Sequence, residues 1–376
     1  MHTSYLLTPC LHGLFATVTS AVAAQHPGAI PPKPIRLAIA GLVHGHVGGF
    51  LALCAQDRKD VEIVGIYEPN AELARLYARR YKYPESLLFT DLHKMLDAIR
   101  PEGIATFTNT FDHTAVVEAC ATRHIPVMME KPLAVSMEHA RRMQNASNQY
   151  GIPVVVNYET TWYPSHAAIW DLVKQQHALG DIRKIVAMDG HEGPKEIGVG
   201  PEFLSFLTDP KLNGGGALFD FGCYGANLAT WLMDNRRPIS VMALTQQIKP
   251  RTYPYVDDEA TVLVEYPHAQ CIIEGSWNWP TGRKDLEVYG ERGYVIATGG
   301  KSLRTRVQRG AEETSQPTAT PSESTDPLTY FLAVVRGKIK PTGLSSLENN
   351  MIVTEILVAA RESARTGTRI VLSRAP

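Results

Sequence analysis

The stretch Ile35-Arg36-Leu37-Ala38-Ile39-Ala40-Gly41-Leu42-Val43-His44-Gly45-His46 decides the fold. Six residues of nearly unbroken apolar character end in a glycine, which is the pattern of a strand buried on both faces. A helix following such a strand presents free N–H groups and the positive end of its dipole at the turn, where a dinucleotide pyrophosphate normally lies. The turn departs from the usual three glycines, because Val43 and His46 occupy the second and third positions. Gly41, His44, Gly45 and His46 are therefore the candidate cofactor turn. Two imidazoles two residues apart on a turn do not face one ion, and no local Cys or carboxylate completes a tetrahedral set, so no metal site is expected.

Outward from this turn the rhythm repeats. Apolar runs at Val61–Tyr67, Ile104–Thr108, Pro126–Glu130 and Val154–Asn157 alternate with helical patterns at Ala71–Tyr81, Asp91–Ile99, His113–Thr122 and Ser136–Tyr150. Strand–helix repetition at this spacing gives right-handed crossovers and a parallel sheet covered on both faces. Residues 35–156 thus read as a Rossmann dinucleotide-binding domain. Glu68, at the end of the second strand, is the acid expected to accept the ribose hydroxyls and repel a 2′-phosphate, which favours NAD, with NADP as the alternative.

After residue 156 the rhythm changes. A helix at Ser165–Gln176, a strand at Ile182–Asp189, the triple glycine Gly214-Gly215-Gly216 and a helix to Met233 precede consecutive strands. These run over Ile239–Gln246, Ala260–Tyr266, Gln270–Trp277, Lys284–Tyr289 and Tyr294–Thr298. Residues 157–376 read as an α+β domain with an open, mainly antiparallel sheet, serving substrate binding and oligomerisation through that sheet. Arg309–Asp326, rich in Ser, Thr, Pro and Glu, reads as a mobile surface loop, followed by helices at Pro327–Val335 and Ser346–Thr366.

Composition excludes several classes. The 376 residues are 44% apolar and 20% charged, and 37 basic against 38 acidic residues leave a net charge of −1. That balance offers no bulk electrostatic grip on nucleic acid or an anionic membrane. Five scattered cysteines form no C-x-x-C pair, so neither a zinc knuckle nor a disulfide framework is indicated. Leu6–Ala24, apolar and ending in Ala21-Val22-Ala23-Ala24, reads as a cleaved signal peptide over residues 1–24, and the proline-rich 25–34 as an extended linker. A periplasmic or secreted protein with tightly held NAD is the expectation, and a cytoplasmic one the alternative, since no Arg precedes Arg36 to make a twin-arginine signal.

Three further segments carry a family resemblance. Glu130-Lys131-Pro132 follows the fourth strand, Thr108-Asn109-Thr110 and His113 follow the third, and Gly214-Gly215-Gly216-Ala217-Leu218-Phe219-Asp220-Phe221-Gly222 opens a helix. Together with the Gly41 strand they resemble the Gfo/Idh/MocA oxidoreductases over roughly residues 35–372. The resemblance implies that Lys131 reaches both nicotinamide and substrate hydroxyl, that Thr108, Asn109 and His113 lie under the nicotinamide ribose with Glu130 near it, and that Asp220 is an active-site aspartate. The usual catalytic histidine is here Tyr224, as in a subset similar to glucose–fructose oxidoreductase, so Tyr224 is expected to inherit the acid–base role.

Asp220 and Tyr224, four apart, share a helix face. A nearby Lys131 ammonium would favour the phenolate of Tyr224, letting the pair take a hydroxyl proton as hydride leaves the carbinol carbon. Tyr158, Trp162, His191 and Trp277 supply rings and polar groups suited to a carbohydrate-like substrate. The expected activity is hydride transfer between NAD(P) and a secondary hydroxyl or ketone of a sugar, glycoside or polyol. The competing readings are an NAD-dependent glycosidase acting through transient oxidation and elimination, and a non-catalytic sugar sensor on the same fold.

Overall fold

The computed structural model describes residues 33–56, 58–318, 322 and 325–372. The segment read as a signal peptide and nearly all of the proline-rich linker lie outside the described residues, as do parts of the loop at 309–326. Pro34 onward forms one compact unit.

Strands β1 (Ile35–Ala40), β2 (Val61–Tyr67), β3 (Leu88–Phe89), β4 (Gly103–Thr106), β5 (Val127–Glu130) and β6 (Val154–Asn157) form a sheet in the order β3-β2-β1-β4-β5-β6. Every pairing in it is parallel. Helices α1 (Val47–Cys54), α2 (Ala71–Tyr81), α3 (Leu92–Ile99), α4 (His113–Ala121) and α5 (Met137–Tyr150) make the crossovers. Leu37, Ala38, Ile39 and Ala40 are all fully buried, which is why β1 reads as a continuous apolar run. The helix starts are encoded locally. The Asn70 side chain accepts the N–H groups of Glu72 and Leu73 ahead of α2, and Ser136 accepts that of His139 at α5. Strand order reverses beside β1, so the ends of β1, β4 and β5 open a crevice there, the usual ligand position in such sheets.

The second sheet holds β7 (Ile182–Gly190), β8 (Ser240–Gln246), β9 (Glu259–Glu265), β10 (Gln270–Ser276), β11 (Arg283–Gly290), β12 (Gly293–Thr298), β13 (Ser302–Val307), β14 (Glu313–Ser315) and β15 (Ile370–Val371). Its order is β14-β13-β12-β11-β7-β10-β9-β8-β15. The sheet is mixed: β7 pairs parallel with β10, and its other neighbours pair antiparallel. The parallel pair arises because a helical segment returns the chain between β7 and the β8–β9–β10 meander. That segment comprises α7 (Pro201–Leu207), α8 (Pro210–Asn213), α9 (Ala217–Asp220) and α10 (Gly222–Leu232). It is preceded by α6 (Pro164–Trp170), which runs on as a π-helical turn over Asp171–Gln175. The 309–326 stretch contains β14, paired with β13, rather than loop alone. Helices α11 (Pro327–Val335) and α12 (Leu347–Thr366) close the chain.

One face of this sheet packs on α10 and α12, and the alternate residues of β8 and β9 are left open, with Met242, Leu244 and Leu263 exposed. Val154 and Val156 of β6 lie in the same apolar cluster as Ala187 and Ile273 of the second sheet. The two sheets therefore share one core.

Candidate active site

The placement of Asp220 and Tyr224 follows from glycines and one half-buried acid. A Cβ on Gly225 would lie 2.6 Å from Ile273 Cγ2 and 2.9 Å from Ala187 Cβ, so only glycine lets α10 settle this closely on β7 and β10. Asp257 accepts the N–H groups of Gly216 (2.9 Å) and Leu218 (2.7 Å), pinning the triple-glycine turn ahead of α9. Gly214 sits at φ +89°, in the left-handed region. The segment delivers Asp220 and Tyr224 into the interior, 4% and 1% exposed.

Lys131 comes from the end of β5 and meets them. Its Nζ donates to Asp220 Oδ1 at 2.5 Å and to the Asp220 carbonyl at 2.8 Å. Trp277 Nε1 donates to Asp220 Oδ2 at 2.9 Å, so both carboxylate oxygens are held. Burial alone would neutralise both partners. Each overrides that for the other, and Lys131 stays above its ordinary value while Asp220 stays below. The pair is ionised.

A cavity of about 390 Å³ opens here, lined by Lys131, Asp220, Tyr224, His191, Glu159 and Lys284 with apolar residues from the 194–207 segment and Gly45 and His46. The ammoniums of Lys131 and Lys284 stand 5.0 and 4.8 Å from the Tyr224 ring centroid. The expected phenolate is not formed: burial, reinforced by Glu159, pushes the Tyr224 pKa well above its ordinary value. The low-dielectric surroundings outweigh the two cations, so Tyr224 is a neutral proton donor. His191 is kept below its ordinary value by burial first, and its Nδ1 accepts the Gly193 N–H at 2.9 Å. A neutral ring with Nδ1 accepting carries its proton on Nε2.

At the β1 turn, Gly41 (φ +81°) touches β4's continuation so closely that a Cβ would lie 2.6 Å from Thr108 Cγ2. Gly45 lies under the ring of Phe203 from α7, and a Cβ there would come within 2.8 Å of it. His46 Nδ1 lies 3.0 Å from Glu130 Oε2, and Asn157 donates to Glu130 Oε1 at 2.8 Å. Burial would raise the Glu130 carboxyl, but His46 and Asn157 hold it below its usual value. Glu130 thus supplies from 84 residues away the carboxylate that the local sequence lacks. The possible ligand atoms of His44, His46 and Glu130 lie within 4.8 Å of one another. They already form a hydrogen-bonded chain, with His44 Nδ1 accepting the His46 N–H at 3.3 Å, and the nearby Lys131 charge opposes a cation.

Several expected residues sit elsewhere. Glu68 turns inward, accepting the N–H groups of Leu42 (2.8 Å) and Asn70 (2.9 Å), and is 2% exposed, so it shapes the turn rather than facing a ribose. His113 is buried with Nδ1 3.2 Å from the Leu133 carbonyl, bracing the segment after Lys131. Asn109 spends its side chain on Asp112. Tyr158 and Trp277 are fully buried. Tyr158 packs edge-on against Tyr224 with centroids 5.4 Å apart, and Trp277 positions Asp220 instead of stacking on a ligand. Trp162 donates to Asn157 at 2.9 Å and lines a neighbouring cavity of about 450 Å³ with His46 and Glu130. Sequence reasoning missed Lys284, which lines the Tyr224 cavity, together with Asp189. The last is buried with neither carboxyl oxygen hydrogen-bonded among the described residues, and burial pushes it well above its ordinary value.

Residues 35–158 match the family described as "Oxidoreductase family, NAD-binding Rossmann fold", and residues 167–296 the GFO/IDH/MocA C-terminal domain. This chain belongs to the Gfo/Idh/MocA oxidoreductases. It is 23% identical to the D-glucoside 3-dehydrogenase of Escherichia coli over 92% of this chain and 99% of that protein. It is 25% identical to the trans-1,2-dihydrobenzene-1,2-diol dehydrogenase of Xenopus laevis over 65% of this chain and 69% of that one. Among solved structures it shares its fold with an inositol dehydrogenase homolog from Azotobacter vinelandii complexed with NAD+ (TM-score 0.78, 17% identity, 90% and 98% coverage). An aldose-aldose oxidoreductase from Caulobacter crescentus complexed with glycerol is similar (TM-score 0.76, 18% identity, 90% and 100% coverage).

A Gfo/Idh/MocA chain implies NAD, and the residues at the β1 turn fit it at the reacting end. Gly41 leaves the close approach of β1 and β4 that the turn needs, and Gly45 and His46 border the cavity containing Lys131. Of these residues Gly45 and His46 would lie against it, with Glu130 behind His46 in the adjoining cavity and Glu68 acting through the loop backbone.

Proposed function

We propose that this protein is a nicotinamide-dependent oxidoreductase acting on a secondary hydroxyl or ketone of a sugar, glycoside or polyol. The observation that carries the reading is the convergence of Lys131, Asp220, Tyr224 and His191 on one cavity beside the β1 turn. NAD supplies the hydride acceptor or donor when bound. Lys131, Tyr224 and the Nε2–H of His191 are donors for an oxygen that gains negative charge, as a ketone does on reduction. Asp220 keeps Lys131 charged and aimed, and Trp277 keeps Asp220 aimed. The buried surroundings exclude water and strengthen each of these interactions.

The test is a panel of sugars, glycosides and polyols, incubated with protein and NAD or with the matching ketones and NADH, and read by nicotinamide absorbance. Turnover with at least one member that is lost in Lys131→Ala supports the reading. Release of an aglycone without net nicotinamide change favours the redox-assisted glycosidase, and no turnover with tight sugar binding favours a sensor.

The open sheet face is proposed as the contact between copies of the chain. Met242, Leu263 and Ile272 lie in one cross-strand row, flanked by Leu244, and Met242, Leu244 and Leu263 are 46%, 64% and 48% exposed. Contiguous apolar surface of this kind marks an association site. Light scattering should give a mass above the monomer's, and Leu263→Glu should lower it.

A further inference from the structure

The cleft does not end at Lys131. A second compartment of about 720 Å³ shares Glu159, His191, Phe221 and Lys284 with the first, and is otherwise lined by Tyr163, Trp279–Asp285 and neighbouring glycines. That volume alone lies in the range of about 300–1,000 Å³ that takes a drug-sized ligand, well beyond what one ring needs beside the reacting centre.

Its chemistry is flat and neutral. Arg283 lies over the Trp279 ring with its guanidinium 4.5 Å from the centroid. Tyr163, its hydroxyl 2.5 Å from Glu159 Oε1, faces the same space. Planar surfaces of this kind receive the C–H face of a sugar or an aromatic ring. Each cation lining either compartment is matched by a carboxylate: Lys131 with Asp220, Lys284 with Glu159, and Arg283 with Asp285 at 2.7 Å. His191 is held neutral by burial. No lining cation among the described residues is left to neutralise a phosphate, and a buried anion without a partner is strongly disfavoured.

We infer that the second compartment binds the aglycone or second ring of a neutral glycoside, and that the substrate is such a glycoside rather than a free monosaccharide, a sugar phosphate or a nucleotide sugar. This rests on reading the Lys131 cavity as the site of the reacting ring. The compartment places the second ring on Trp279 and Arg283, where it adds affinity without touching the reacting atoms.

Calorimetric titration of the NAD-loaded full chain with methyl and phenyl pyranosides of gluco, galacto and manno configuration, with cellobiose and with glucose 6-phosphate, tests this. For at least one configuration the phenyl glycoside should bind about tenfold more tightly than the methyl glycoside, the order expected for one stacked ring, and glucose 6-phosphate should bind most weakly. Trp279→Ala should bring the phenyl-to-methyl ratio close to one. So should Gly282→Trp, at an exposed position where a Cβ meets nothing within 4 Å. Equal affinities in the unmodified protein, tightest binding by glucose 6-phosphate, a ratio that survives both variants, or no binding by any probe would each overturn the inference. Nicotinamide reduction recorded in parallel separates the two readings: a phenyl preference without turnover keeps the compartment and removes the proposed activity.

Discussion

Lys131 Nζ and Asp220 Oδ1 meet at 2.5 Å with both side chains 5% exposed, the lysine entering from one sheet domain and the aspartate from the helical segment over the other. Such a pair gains little net stability over an apolar substitute, because desolvation cancels most of the attraction. Its value is to keep an ammonium charged at a buried position.

Breaking it from one side is therefore expensive. Asp220→Asn should lower unfolding stability by about 3–5 kcal/mol, the usual cost of a buried charge left unpaired, and reduce turnover. Combining it with Lys131→Met should recover much of the stability, read by urea unfolding, and none of the activity.

Glu68 offers a second test. Its two oxygens are spent on the Leu42 and Asn70 N–H groups, so Glu68→Ala should unsettle the turn by about 1–3 kcal/mol. Affinity for NAD and NADP should fall by similar factors in calorimetry. A selective gain for NADP would instead mean that the carboxylate faces the ribose in solution.

The pH dependence of stability has a definite sign. Burial lowers His113 and His166 to about 4 in the folded protein, below the ordinary histidine value of about 6.5. Unfolded chains then bind more protons as pH falls from about 6.5 toward 4, and stability is lost over that window. Each histidine contributes a slope approaching about 1.4 kcal/mol per pH unit. His166→Gln should flatten the profile by one proton's worth, as measured by chemical unfolding at successive pH values.

The parts of this architecture written locally were legible in the sequence. The apolar runs ending at Gly41 and Glu130, and the helix beginning at Ser136, are each decided within a few residues. Gly214-Gly215-Gly216 marked the turn that delivers Asp220, though its tie to Asp257 is tertiary. What could not be read depends on partners far apart in the chain. Trp277 and Trp279 flank one residue at the end of β10, and only the packing of Asp220 decides that Trp277 turns inward while Trp279 lines the cleft. Glu68 has the position of a ribose ligand, but two backbone N–H groups claim it first. The neutral state of Tyr224 was likewise hidden, because burial outweighs both Lys131, which the sequence suggests beside it, and Lys284, which it does not.

The central claim is that hydride moves between nicotinamide and a carbinol carbon held against Lys131 and Tyr224, and isotope transfer tests it most directly. Protein is incubated with NAD and ring-deuterated pyranosides, and the nicotinamide product is examined by mass spectrometry. The account predicts deuterium in the reduced nicotinamide with the unmodified protein. It also predicts at least an approximately 10²-fold slower transfer in Tyr224→Phe and Lys131→Ala, the scale of a lost general acid–base group. Undeuterated product, or unchanged transfer in both variants, would contradict it.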